Sequence, residues 1–212
     1  MNWNLKLFLF FSGTFISTIM FIVVLIRFAK TLGIRGNNSK ELRWNQNSKP
    51  SLGGIAIFLS LFSSIFTYLV THPSENIFSN TSFVLFFMGM CLAFFMGLTD
   101  DAFDTRPFFK LTMQISCGVL IASSNNLIPV STYSGLNAFV TVLWTVGLMN
   151  SLNMLDNMDG ITASVANSIF LILILISLIF CCNILDIYIF ILVGFVGAIF
   201  GFLVFNKPPS KL

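Results

Sequence analysis

Residues 111–155 read LTMQISCGVLIASSNNLIPVSTYSGLNAFVTVLWTVGLMNSLNML, 45 positions without one charged side chain. As a single α-helix, at ~1.5 Å per residue, the stretch would reach about 67 Å, more than twice the ~30 Å of bilayer hydrocarbon. It therefore has to fold back. The polar break Ser123, Ser124, Asn125 and Asn126, with Pro129 after it, marks the place.

The rest of the chain reads the same way. Its 212 residues are 56% hydrophobic and 9% charged, with 26 Phe and a mean hydropathy of +0.91, which puts it in the membrane class. Polar residues, Gly and Pro divide it into spans of roughly 6–28, 52–71, 83–99, 108–123, 137–152, 165–181 and 187–205. The expected fold is an all-α polytopic helical bundle of about seven transmembrane helices forming one domain, 1–212. The first span is longer than the apolar core of a secretory signal, no small-x-small cleavage site follows it, and Arg27 and Lys30 close it. It is read as a retained helix.

Ten of the eleven basic residues fall into alternate loops: Arg27, Lys30, Arg35, Lys40, Arg43 and Lys49, then Arg106 and Lys110, then Lys207 and Lys211. By the positive-inside rule those loops face the cytoplasm and the N-terminus lies outside. The net charge of +3 reflects these loops and contact with anionic headgroups, not nucleic acid. Cys91, Cys117, Cys181 and Cys182 lack metal-ligand spacing and are expected as buried free thiols. His72, before Pro73 in an outer loop, is expected to be solvated.

Five of the eight acids lie in two clusters on the predicted cytoplasmic face, Asp100, Asp101 and Asp104, and Asp156 and Asp159. Carboxylates at a membrane edge are costly, and function is the usual reason for keeping them. If the first loop stays helical for a turn, Asp100 and Asp104 share a face. Their repulsion has to be offset by a divalent cation, a lysine or a shared proton. Pairing with Arg106 and Lys110 in a solvated loop is the structural alternative. In the second stretch Asn150, Asn153 and Asp156 recur every three positions, so on a helix they follow one side, with Asp159 a turn further. Such hard oxygens suit Mg²⁺ completed by waters or phosphates. The alternative is a helix C-cap in which Asn and Gly make the turn. A third element, Lys49-Pro50-Ser51-Leu52-Gly53-Gly54, combines a cation, a helix-starting proline and glycines that permit close approach.

Taken in order, Lys49 to Gly54, Asp100-Asp-Ala-Phe-Asp104 with Phe109-Lys110-Leu111, and Asn150-Ser-Leu-Asn-Met-Leu-Asp-Asn-Met-Asp-Gly160 resemble the polyprenyl-phosphate N-acetylhexosamine-1-phosphate transferase family. The likeness is greatest to bacterial undecaprenyl-phosphate N-acetylglucosaminyl-1-phosphate transferases. It implies a bacterial plasma-membrane enzyme in cell-envelope glycan synthesis, whose lipid phosphate attacks the sugar-linked phosphorus of a UDP-amino sugar and releases UMP. It also implies Mg²⁺ as cofactor and undecaprenyl phosphate, the UDP-amino sugar and membrane lipids as partners, and it leaves a homodimer open. Asp100, Asp101, Asp156 and Asp159 would be catalytic, Lys49, Lys110 and Asn150 substrate-binding, and Asn153 the metal ligand. Asp100 and Asp101 would orient the lipid phosphate and position Lys110.

Two departures stand out. Asn157 replaces a glycine common in the family, and asparagine tolerates the left-handed conformation that the turn needs. Family members also continue, after the equivalent of Leu212, into a Phe-Met-Gly-Asp-like segment whose aspartate helps hold magnesium, so the domain is expected to be C-terminally incomplete. The competing expectation is a catalytically impaired scaffold or lipid-binding protein of the same fold. An ion-coupled transporter fits poorly, because the acids gather at one surface and the span interiors carry almost no charge.

Overall fold

The computed structural model describes residues 3–31, 52–72, 77–103, 105–124, 127–156, 159–180 and 186–207. Their elements are α1 (Trp3–Thr31), α2 (Gly53–Thr71), a 3₁₀ turn (Ile77–Ser79), α3 (Thr81–Phe103), α4 (Pro107–Ser123), α5 (Ser134–Leu155), α6 (Ile161–Phe180) and α7 (Asp186–Asn206). Among the described residues there is no strand, and the all-α architecture holds. Six helices are long and apolar enough to cross a membrane. The seventh, α4, is a shorter apolar helix of 17 residues, about 25 Å at ~1.5 Å per residue.

Local chemistry sets the helix ends. The Asn80 side-chain oxygen accepts the N–H groups of Ser82 and Phe83 at 2.9 and 3.3 Å, capping α3 at its start. At its other end α3 continues to Phe103, beyond the apolar run that predicts a stop at 99. Pro107 opens α4, where its missing N–H costs nothing. The fold-back is where the polar break predicts it. There the Ser124 N–H reaches both Leu120 and Ile121 carbonyls, and the Ser124 carbonyl accepts from the Ser82 hydroxyl at 2.8 Å. Hydroxyls on exposed helix faces, such as Ser12, Thr67, Ser116 and Ser168, bond to carbonyls three or four residues back. These four hydroxyls are thereby paired within their own helix turns.

The chain divides into two compact units, Met1–Thr71 with Asn157–Leu212, and His72–Asp156. In the first, α7 packs against α1, α2 and α6. A Cβ at Gly201 would lie 2.8 Å from the Phe15 carbonyl oxygen, and one at Gly194 would lie 2.9 Å from Ser64 Oγ. At Gly201 only glycine lets the α1 and α7 backbones meet so closely. Thr18 donates to Ser60 at 2.8 Å across the α1–α2 seam, and Phe190 packs between Phe10 and Tyr68 at 4.7 and 5.2 Å. Gly53 meets the Phe202 ring of α7, while Gly54 has open space around it, so this glycine pair admits an aromatic ring.

In the second unit α3, α4 and α5 form two successive antiparallel pairs. Asp100 meets Lys110 at one end of α3–α4 and Ser82 meets Ser124 at the other. Between them, the Cys117 thiol points to the Gly89 carbonyl at 3.7 Å. Cys117 is buried and Cys91 only half-buried, both free; Cys181 and Cys182 lie outside the described residues. His72, directly after α2, is half-buried.

Candidate functional site

The apolar run of α3 ends at Leu98, and the helix then carries Asp100 and Asp101 in its final turn. Asp156 follows the last residue of α5, Leu155, as its C-cap. Helix C-termini bear about half a negative charge, which disfavours carboxylates and favours cations by ~0.3–1 kcal/mol each. Both acidic groups thus sit where the backbone adds to their own charge. Such placement opposes stability and suits a bound cation.

One cation is supplied by the chain. Lys110 Nζ lies 2.7 Å from Asp100 Oδ1, and the same oxygen accepts the Thr105 hydroxyl at 2.7 Å and the Thr105 N–H at 3.3 Å. Thr105, just before α4, is therefore held to Asp100. Both charged groups are only partly exposed. A pair at a membrane edge contributes ~0–1 kcal/mol, so its main effect is to fix where the ammonium points. The sequence-level alternative in which Lys110 pairs with an acid is realised at Asp100. Asp101 and Arg106 are exposed.

One turn along α4 from Lys110, Gln114 is buried and forms a reciprocal amide pair with Asn150 of α5. Each carboxamide donates to the other at 3.1 Å. Asn153, three residues on, is exposed near the end of the same helix, and Asp156 is exposed beyond it. Asp159 is not a turn further along α5; the alternative of a helix end followed by a glycine turn is the one realised here. The helix stops at Leu155, and Asp159 with Gly160 forms a turn of the first unit. Gly160 has φ of +78°, a left-handed value that no helix can continue through, and its carbonyl then accepts the Ser164 N–H to begin α6. Asp159 is accordingly not a further step on the α5 face.

The structure thus brings together Asp100 of α3 and Lys110 of α4, and ties Asn150 to α4 through Gln114. Lys49, Asp104 and Asn157 lie outside the described residues. Gln114 is the residue the motifs missed. Its signal in the sequence is that it is the only carboxamide between Lys110 and Asn125, four positions from Lys110.

Among the described residues no three His, Cys, Asp or Glu side chains gather as a metal cluster. Exposed hard oxygens at Asn153 and Asp156 on one helix end nonetheless fit Mg²⁺, which commonly takes one or two protein oxygens and completes its shell with waters and substrate phosphates.

Residues 83–212 match the family described as "Glycosyl transferase family 4". The chain is 22% identical, over 72% of its length, to the "Probable undecaprenyl-phosphate N-acetylglucosaminyl 1-phosphate transferase" of Bacillus subtilis (strain 168), of which it covers 44%. It is 28% identical, over 94% of its length, to a phospho-N-acetylmuramoyl-pentapeptide-transferase of Streptococcus sanguinis (strain SK36), covering 65% of it. The enzyme of the same name from Latilactobacillus sakei subsp. sakei (strain 23K) is 26% identical over 93% of the chain, with 67% of its own length covered. The chain spans less than two thirds of the first two relatives.

Proposed function

Because the chain belongs to glycosyl transferase family 4, we propose that its protein transfers a sugar 1-phosphate from a UDP-sugar to undecaprenyl phosphate, on the cytoplasmic face of a bacterial plasma membrane. The observation that carries this reading is the Asp100-held ammonium of Lys110 at the same end of the second unit as Asn153 and Asp156. A fixed cation and exposed oxygen donors at one end of a helix pair are what a nucleotide diphosphate and its magnesium require.

In the reaction an oxygen of the lipid phosphate bonds to the sugar-linked phosphorus, and the bond from that phosphorus to the bridging oxygen breaks. The electron pair leaves on UMP. A phosphate monoester with its second pKa near ~6 is already largely ionised at neutral pH, so no strong base is needed. Positioning and charge neutralisation then dominate, as in other phosphoryl transfers. Lys110 binds the diphosphate, Asp100 aims Lys110, and Asp101 orients the incoming lipid phosphate. Asn153 and Asp156 would hold Mg²⁺, which would offset charge on the diphosphate. Asn150 contributes to substrate binding, and Lys49 and Asp159 are assigned to substrate binding and catalysis by the motif resemblance alone.

The names of the relatives support two donors. N-acetylglucosamine 1-phosphate is our first reading, from the three motifs and the Bacillus relative. Phospho-N-acetylmuramoyl-pentapeptide is the second, favoured by the longer coverage of this chain in the streptococcal and Latilactobacillus relatives. The test is UMP release by the purified full-length protein with undecaprenyl phosphate and each UDP-sugar, with Mg²⁺ or with EDTA. Metal-dependent release with UDP-N-acetylglucosamine supports the first donor, and release with the muramoyl-pentapeptide donor alone selects the second. Release with neither would sink the transferase reading. Thiol labelling of cysteines placed at Thr105 and Ser79 checks the orientation, with Thr105 expected to be cytoplasmic.

A further inference from the structure

Gln114 is 4% exposed within an apolar helix, where an unsatisfied carboxamide would be costly. Its hydrogen-bonding groups are met by one residue. Nε2 donates to Asn150 Oδ1 and Oε1 accepts from Asn150 Nδ2, both at 3.1 Å. Such a paired amide is sensitive to register. Sliding either helix by one residue moves its side chain ~1.5 Å along the axis and ~100° around it, which breaks both bonds at once.

The neighbouring contact between these helices has no such direction. A Cβ at Gly118 would lie 3.0 Å from Val142 Cα, so α4 and α5 pack closely there, and the amide pair adds a directional bond to that contact. The amide pair is also placed next to the chemistry. Lys110 lies four residues from Gln114 on α4, and Asn153 three residues from Asn150 on antiparallel α5. Both therefore rise toward the same end, by ~6 and ~4.5 Å. Lys110 is held from its other side by Asp100 at 2.7 Å.

We propose that Gln114 is a positioning residue whose amide clasp on Asn150 sets the register between the Lys110 ammonium and the oxygen donors at the end of α5. It touches no substrate in this account and acts through its neighbours. The inference rests on the diphosphate-site reading above.

The test uses the full-length protein in lipid nanodiscs with two variants. Gln114→Leu removes the pair at nearly constant volume. The exchange variant Gln114→Asn/Asn150→Gln keeps one long and one short amide. Spin labels carried on unnatural amino acids at the exposed positions Leu111 and Met154 report the α4–α5 distance without turnover. Gln114→Leu should broaden that distance distribution, and the exchange variant should narrow it again. In UMP release, Gln114→Leu should lower kcat by roughly 10- to 100-fold, the scale of an ångström-level misplacement. KM for the UDP-sugar should change by less than about threefold, since the binding groups all remain. An unchanged distance distribution in Gln114→Leu overturns the proposal, as does a broadened one with unchanged kcat. If Gln114→Leu does not fold, the exchange variant decides, a narrow distribution upholding the clasp and a broad one overturning it. An unmodified protein without turnover would instead count against the transferase reading, while the distance measurement still judges the clasp.

Discussion

In α7 of the first unit, 61% of the most apolar stretch is buried, against 6% in α5 of the second, although the two spans have 20 and 22 residues. The difference follows from what each helix presents. α7 carries Gly194, Gly197 and Gly201 at helical spacing and is met from three sides by α1, α2 and α6. α5 meets α4 and otherwise exposes Leu136, Phe139, Leu143, Trp144 and Leu148, as a lipid-facing helix does. Close backbone approach gives the first unit its cohesion. The second instead gathers the charged side chains Asp100, Asp101, Lys110 and Asp156 at one end. Substitutions in the first unit should therefore be felt as stability, and substitutions at the charged end of the second as turnover.

The largest effect that would break this division is at Lys110. Lys110→Gln should reduce UMP release by about 100-fold or more, the scale seen when a group stabilising developing charge is removed, with unfolding altered by no more than ~1 kcal/mol. Equal losses of stability and turnover would erase the contrast. Next comes Gly201→Leu, whose side chain would run into the Phe15 carbonyl and Thr18. It should cost ~1–3 kcal/mol from overpacking, lowering the midpoint of thermal unfolding while leaving the rate per folded molecule intact. Ser60→Ala removes the buried Thr18–Ser60 bond and should cost only ~0.6 kcal/mol, typical of hydrogen bonds between membrane helices. Ser116→Ala, whose hydroxyl bonds within its own turn, should stay within ~0.5 kcal/mol in the same unfolding assay. A larger change there would mean that α4 packs more tightly than its exposure implies.

Much of this was legible in the sequence. Apolar length forced the fold-back, and Ser123 to Asn126 marked it, because a charge-free run can be divided only where polar groups reach water. The boundaries of α3 and α5 were less legible. Asn80 starts α3 by a side-chain cap, and Asp100 to Phe103 remain helical despite their polarity, since backbone hydrogen bonding does not stop where hydropathy falls. At the site, the three-residue spacing of Asn150, Asn153 and Asp156 correctly placed them along or at the end of one helix. The same spacing does not extend to Asp159, because α5 has already stopped at Leu155 and the turn at Gly160 lies beyond it. Gln114 was overlooked because a lone amide in an apolar run has no motif. Only its partner 36 positions away gives it meaning.

We propose that the end of α5 and the Lys110–Asp100 pair serve one magnesium-assisted reaction. The most direct test is the Mg²⁺ dependence of UMP release in the unmodified protein and in Asn153→Ala, at saturating UDP-sugar and undecaprenyl phosphate. The expected result is absolute dependence on the metal, with half-saturation raised at least about tenfold in the variant, the scale for weakening a metal's protein environment. Release that proceeds without the metal, or with the same half-saturation in both proteins, would contradict it.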